Sequence, residues 1–246
     1  MLDERLALPK GRAGAVRAGM VARAMLAALF PKPVVTVVAT AAMWQAPLRA
    51  EEERCVARAS RARRREFAAG RACARLALTR LGLPQAAILP DRNRVPCWPA
   101  GVVGSLAHCP GYCAVALARD QDATGLGLDV ERAGRIGSRL LARIASPAER
   151  AALAALPSPP PGGPDWATLL FSAKESTYKC YFPLTRRRLG FRDVEVQIDP
   201  DSRGFRAHLV RADAPAAAGA RCFIGHFAGS QGLLATGVFL GPGCDA

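Results

Sequence analysis

GLGLDVE (125–131) places two carboxylates, Asp129 and Glu131, one residue apart in a stretch that reads as a strand. On an extended strand, residues i and i+2 project to the same side about 6.6 Å apart, so this pair can face one cation together. A third carboxylate, Glu175, lies in the helix-like stretch FSAKESTYK (171–179), four residues before Lys179 and therefore on the same side of a helix, with Lys174 as its neighbour. Taken singly, D-x-E is the pattern of many solvent-facing strands, and a Glu/Lys pair at i,i+4 is a routine surface ion pair. Together, three carboxylates with two lysines beside them suggest a metal-assisted phosphate site. Mg2+ is the expected ion, since it usually takes one or two protein carboxylates and leaves positions for water and substrate phosphate; Mn2+ is the alternative. Phosphoryl-type transfer is the chemistry this set implies.

Working outward, a helical N-terminal segment ends at Pro31, and VVTVVAT (34–40) reads as a buried strand. A long helix is expected over 61–81, where Phe67, Gly70, Ala74, Leu78 and Leu81 recur at helical spacing before Gly82, a good C-terminal stop. Arg64, Arg71 and Arg75 fall on another stripe of that helix. Residues 84–99 are loop-like and proline-rich, strands resume at about Val102, and GSLAHC (104–109) reads as a Gly-Ser turn entering a short segment with His108 before the strand YCAVALAR (112–119). Ser146-Pro147-Ala148-Glu149 is a capping box with proline at the first helical position, opening a helix that ends before Pro157. SPPPGGP (158–164) is a turn or connector. A second long helix covers 165–181 and is expected to stop at Pro183, followed by strands near 193–199, 204–210, 222–228 and 233–240. Strand, helix and further strands thus occur in each half. The expected fold is α+β, with two similar α+β subdomains at 1–124 and 125–246, and a ligand cleft between them.

A chain of 246 residues, half of them hydrophobic, can bury a real core, which excludes disorder as a whole. The formal charge of +14, from 34 basic and 20 acidic residues, favours a polyanionic partner: nucleic acid, a phosphorylated small molecule or an acidic protein. The eight cysteines show no C-x-x-C pair and no Cys/His block of the zinc type, and read as reduced thiols of a cytoplasmic protein. Asp3 and Glu4, and Arg23 within the apolar stretch 20–30, match neither a signal peptide nor a membrane span. Within GSLAHC, Ser105 and His108 offer a hydroxyl and a ring donor, and the turn offers backbone N–H groups, to a phosphate.

The ordered blocks RRREFAAGRACAR (63–75), PCWP (96–99), GSLAHCPGY (104–112), GLGLDVE (125–131) and FSAKESTYKCYFP (171–183) resemble those of the surfactin-type 4'-phosphopantetheinyl transferases, in particular the branch of enterobactin synthase component D. The resemblance runs from about Pro31 to Phe191. It implies a pseudo-twofold monomer with coenzyme A in the cleft between its subdomains. The implied reaction moves the phosphopantetheine arm of coenzyme A to a serine of an acidic apo acyl or peptidyl carrier protein, serving fatty acid, polyketide, nonribosomal peptide or siderophore synthesis, and releases 3',5'-ADP. By motif position, Asp129 and Glu131 would hold Mg2+, with Glu175 as a further ligand or as the base acting on the serine. Lys179 and Lys174 would bind the diphosphate, and His108, Arg63 and Arg71 the phosphates of coenzyme A. Where relatives often carry a basic residue early in the loop before PCWP, this chain has Pro90, and Arg92 or Arg94 stands in for it. Relatives with a hydroxyl just before the histidine differ from this chain's Ala107, and Ser105 is the replacement.

The physics agrees with these roles: a serine attacking the β-phosphorus needs a carboxylate within hydrogen-bond reach, and arginine forks suit phosphate. The rival reading is a basic nucleic-acid-binding protein in which the arginine helix tracks phosphates. It explains the charge but leaves the carboxylates unexplained. No nucleic acid and no membrane partner is expected.

Overall fold

The computed structural model describes residues 12–159 and 165–243; most of the SPPPGGP connector lies outside the described residues. Helix α1 (Arg12–Ala27) leads to the short strand β1 (Val35–Val38), a small helix α2 (Ala50–Cys55) and the long helix α3 (Arg61–Arg80). Ser60 caps α3 by accepting from the Arg63 amide at 3.3 Å, and Gly82, at φ 71°, lets the chain turn away at the far end. The first sheet is antiparallel in the order β1-β3-β2, with β2 (Val102–Cys109) and β3 (Tyr112–Arg119) forming a hairpin. Cys73, Ala74, Ala77 and Leu78 of α3 pack on Val37, Val115 and Leu117 of this sheet.

The second half opens with β4 (Gly125–Arg132), then α4 (Ser138–Ile144), α5 (Pro147–Ala155) and the long helix α6 (Trp166–Thr185). It closes with β5 (Val194–Asp199), β6 (Gly204–Leu209), β7 (Cys222–Ser230) and β8 (Leu233–Leu240) in an antiparallel sheet ordered β4-β8-β7-β6-β5. Leu169, Leu170, Ala173 and Tyr181 of α6 bury themselves against Val196, Phe205, Phe223 and Val238 of that sheet. The α+β class is as expected. Each half has an antiparallel sheet with one long helix on it, but one sheet has three strands and the other five.

Alternation along β4 decides how the halves meet. Leu126, Leu128 and Val130 project to one side, into a cluster with Ala107, Ala114 and Ala116 of the first sheet and Leu26 and Leu29 at the end of α1. Gly125, Gly127, Asp129 and Glu131 project to the other. There the strand lies so close to α6 that a Cβ added at Gly127 would collide with the carbonyl of Ser176. Two backbones approach this closely only where no side chain intervenes. The same face, two and four residues on, therefore aims Asp129 and Glu131 at the same helix.

Three sequence expectations are corrected. GSLAHC is not a turn: it is most of β2, with Gly104 opposite Leu117 and Ser105 opposite Ala116, and the reversal comes afterwards at Gly111, whose φ is 77°. Pro183 does not stop the last helix, which runs to Thr185; proline removes a donor from the final turn only, and the chain leaves through Arg186 in the left-handed region at φ 57°. Helices α2 and α4 were not anticipated, because six- and seven-residue helices give too few turns for a periodic signal.

Candidate active site

On α6, Ser172, Ser176 and Lys179 fall on the side turned toward β4 and β8, since steps of four, three and seven return to one face. Asp129, buried on β4, accepts from the Ser172 hydroxyl on Oδ2 and from Lys179 Nζ on Oδ1, both at 2.8 Å. Thr236, opposite Asp129 in the ladder, places its hydroxyl 2.9 Å from that of Ser172 and 3.0 Å from that of Ser176. Asp129 is thus fixed by two partners and one of those partners by a third. Burial works against the charge of Lys179, but Asp129 beside it prevails and lifts its pKa above that of an ordinary lysine.

Glu131 is buried two residues on and pairs with Arg135, which returns over it from the turn after β4. Burial raises its pKa, and the Arg135 hydrogen bond opposes the rise. The Arg135 guanidinium also sits 5.7 Å over the ring of Phe171, which stacks on Phe191 with centroids 5.4 Å apart.

Glu175, one turn before Lys179 on α6, borders two cavities. The first, about 210 Å³, lies between residues 93–96 and 104–106 of the N-terminal half and Glu175, Tyr178, Lys179 and Phe182 of α6. The second, about 130 Å³, lies between Lys174, Glu175 and Tyr178 of α6 and residues 189–191 and Val194. Among the described residues the Glu175 carboxylate accepts no hydrogen bond. Burial raises its pKa, Lys179 opposes, and Asp129 and Glu131 add to the rise. A carboxylate kept basic by its surroundings and free of partners is equipped to take a proton.

At the N-terminal side, Arg63 Nη1 lies 2.9 Å from His108 Nε2 and 3.3 Å from Glu66 Oε2. Arginine can only donate, so Nε2 accepts and the imidazole proton resides on Nδ1, 3.8 Å from Glu66. Burial lowers the His108 pKa; Glu66 opposes this and Arg63 reinforces it, so the ring is neutral at neutral pH. Lys179 and Asp129 act on His108 electrostatically in smaller measure, the first lowering and the second raising its pKa.

Other candidates stand elsewhere. Lys174 is turned away from the first cavity, its ammonium bonded to Glu149 at 2.8 Å and to the carbonyls of Ile144 and Phe191. Arg71 is buried behind α3, donating from Nε to the Ile88 carbonyl at 2.8 Å with its guanidinium 3.7 Å over Phe67; burial pulls its pKa down to about 10. Its stripe partners Arg64 and Arg75 bond Glu53 and Glu52, so the arginine stripe serves internal acids. Ser105 borders the first cavity, yet its hydroxyl accepts from the Leu128 amide of β4 at 2.9 Å. Arg92 is exposed and does not line the cavity; Arg94, two residues on at φ 66°, does.

Sequence reasoning passed over Ser172, Thr236, Arg135 and Tyr178. One of them carried a signal: Ser172 lies seven residues, two helical turns, before Lys179, and a strand that aims Asp129 at one must aim it near the other.

Among the described residues, no three His, Cys, Asp or Glu side chains stand close enough to hold one ion, so the expected ligand set of Asp129, Glu131 and Glu175 is not pre-assembled. The donor chemistry does fit a hard divalent cation. All three offer carboxylate oxygens, and Glu131 and Glu175 both have raised pKa values to which Asp129 contributes, a repulsion that a cation would relieve. No described helix is long and apolar enough to cross a membrane.

Comparison with known proteins gives the family. A family model for the 4'-phosphopantetheinyl transferase N-terminal domain matches residues 51–118, and one for the 4'-phosphopantetheinyl transferase superfamily matches residues 125–227. The chain is 43% identical over 222 residues to 4'-phosphopantetheinyl transferase Svp of Streptomyces mobaraensis, covering 87% of this chain and 88% of that one. It is 42% identical over 160 residues to 4'-phosphopantetheinyl transferase PptT of Mycobacterium tuberculosis (65% and 69% covered), and 34% identical over 125 residues to enterobactin synthase component D of Salmonella typhi (50% of each). Similarity that spans both halves, at 43% identity over most of the chain, makes it a transferase of the 4'-phosphopantetheinyl transferase superfamily.

Proposed function

We propose that the protein transfers the 4'-phosphopantetheine arm of coenzyme A to a serine hydroxyl of an acidic apo acyl or peptidyl carrier protein and releases 3',5'-ADP. The observation that carries this reading is Glu175: a carboxylate with no hydrogen-bond partner among the described residues and a pKa raised by burial, at the border of two cavities and one turn from Lys179, the partner of Asp129. Glu175 takes the serine proton, directly or through one water, as the serine oxygen bonds to the β-phosphorus. The bond from that phosphorus to the bridging oxygen breaks, and the electron pair leaves on 3',5'-ADP. Lys179 supplies fixed positive charge to the diphosphate, Arg94 reaches it from the N-terminal loop, and Arg63 and His108 form a second anion contact. A phosphate arriving beside Arg63 would replace the imidazole nitrogen as its acceptor. Asp129 and Glu131, with Glu175 bordering them, would hold Mg2+ or Mn2+, which when bound neutralises diphosphate charge and improves the leaving group. The rest of the catalysis is positioning and electrostatics.

The test is intact-mass spectrometry of a panel of apo acyl and peptidyl carrier proteins after incubation with the enzyme, coenzyme A and Mg2+. One phosphopantetheine added to the carrier serine, absent when that serine is replaced by alanine, is the expected result. No mass gain on any carrier would overturn the assignment of donor and acceptor.

A further inference from the structure

Lys174 and Glu149 form a buried pair at 2.8 Å, with 2% and 4% of their side-chain surfaces exposed. Lys174 Nζ donates to Glu149 Oε2 at 2.8 Å, to the Ile144 carbonyl at 2.9 Å and to the Phe191 carbonyl at 2.7 Å. An ammonium has three protons, and all three are placed. Glu149 is equally engaged: Oε1 accepts from the Val196 amide at 2.9 Å and Oε2 from the Ser146 amide at 2.8 Å. The pair therefore joins α6, the end of α4, the first turn of α5 and the segment entering β5. A buried ion pair is not stabilising in itself relative to well-packed apolar groups. What a fully satisfied polar cluster confers is a single geometry.

That geometry touches the site at two points. Glu175 is the next residue along α6. Phe191, whose carbonyl Lys174 holds, stacks on Phe171, and Phe171 lies under the guanidinium of Arg135, the partner of Glu131. Phe191 and Gly190 also wall the second cavity, which Glu175 borders and which the Lys174 side chain lines while its ammonium is taken up by Glu149 and the two carbonyls.

We propose that Lys174 is a positioning residue and not a phosphate contact: with Glu149 it fixes the direction of Glu175 and, through Phe191 and Phe171, the seat of Arg135 on Glu131. The inference rests on the transfer reading, because the quantity it protects is the turnover of Glu175.

The experiment compares Lys174→Met, Lys174→Arg, Glu149→Gln and the double variant Lys174→Met/Glu149→Gln with the parent enzyme, measuring the Kd for coenzyme A by calorimetry and kcat with an apo carrier protein. The expected result is a kcat about 10- to 100-fold lower in Lys174→Met and in Glu149→Gln. The double variant should fall no further than the worse single one, and Kd should stay within about twofold of the parent. A Kd weakened about tenfold or more by Lys174→Met but not by Glu149→Gln would make Lys174 a phosphate contact and overturn the inference. So would kcat values within about twofold of the parent in every folded variant. If Lys174→Met does not fold, Glu149→Gln and Lys174→Arg, which keep the size and polarity of the cluster, decide the same comparison. A parent enzyme that modifies no carrier counts against the transfer reading, whereas a parent that transfers normally with unaffected variants counts against the brace alone.

Discussion

At the level of single residues, Glu175 and Lys179 have opposite local environments four residues apart. Lys179 has its partner, Asp129, whereas Glu175 has none among the described residues. Replacing Glu175 by glutamine is expected to lower kcat about 10²- to 10⁴-fold, the usual contribution of a positioned base, with the fold intact by circular dichroism. In the metal-free protein the Glu175 carboxyl should titrate above the ordinary glutamate value of 4.5 in an NMR titration, because burial raises its pKa and Asp129 and Glu131 add to the rise against Lys179. The same shift has a sign for stability. A carboxyl whose folded pKa is raised binds its proton more tightly in the folded state, so stability declines as pH rises from the unfolded value through the folded one. Glu175→Gln should therefore raise the melting temperature of the metal-free protein at pH 8, by about 1–3 °C, and leave it nearly unchanged at pH 4, where both states are protonated. Asp129, Glu131, Glu175 and Lys179 were legible in the sequence because i,i+2 on a strand and i,i+4 on a helix each fix a common side. Lys174 was not, since spacing puts it next to Glu175 without saying which neighbour fills the space on its own side. The partner was nonetheless in view: Glu149 was recognised as the closing residue of a capping box, and the same carboxylate that accepts the Ser146 amide also holds Lys174.

Among the elements, the contact of β4 with α6 and the loop over residues 88–96 position the site. Gly127→Ala should cost at least about 1–3 kcal/mol, since the added methyl meets helix backbone that cannot swing aside; urea melts would measure it. The glycines of GLGLDVE carried this information. Read alongside the two acids, their alternation predicts a strand face pressed on a helix. The loop is held from within: Asp91 Oδ1 accepts from the amides of Asn93 and Val95 at 2.8 and 2.9 Å, while Oδ2 pairs with Arg186 of the other half at 2.6 Å. These two functions differ in worth. Arg186 is largely exposed, so Arg186→Ala should change stability by no more than about 1 kcal/mol. Asp91→Ala, which strips two amides of their acceptor, should cost about 1–3 kcal/mol and raise the KM for coenzyme A by displacing Arg94. The error over GSLAHC has a physical cause: glycine and serine mark a turn by composition, but Gly104 is there because Leu117 and Trp98 lie where a side chain would go.

For the whole molecule, the order of elements and the strand content of the second half could be read in advance, but the junction between halves could not. It depends on a contact no periodicity encodes, the Ser105 hydroxyl accepting from the Leu128 amide. Ser105→Ala should leave that buried N–H without a partner, cost about 1–3 kcal/mol, and speed hydrogen exchange at Leu128 ahead of its neighbours in β4. Individual arginines are likewise less available than their number suggests, since several answer buried or neighbouring acids, whereas the net charge of +14 already counts those acids and stays with the unpaired basic residues. The junction has a consequence beyond shape. β2 and β4 are each the terminal strand of their sheet, and they lie against one another without a shared ladder. Each thereby screens the other's unpaired amides and carbonyls from foreign strands. Variants that loosen this contact should reveal themselves as self-association at protein concentrations where the parent enzyme stays dispersed, before any loss of secondary structure.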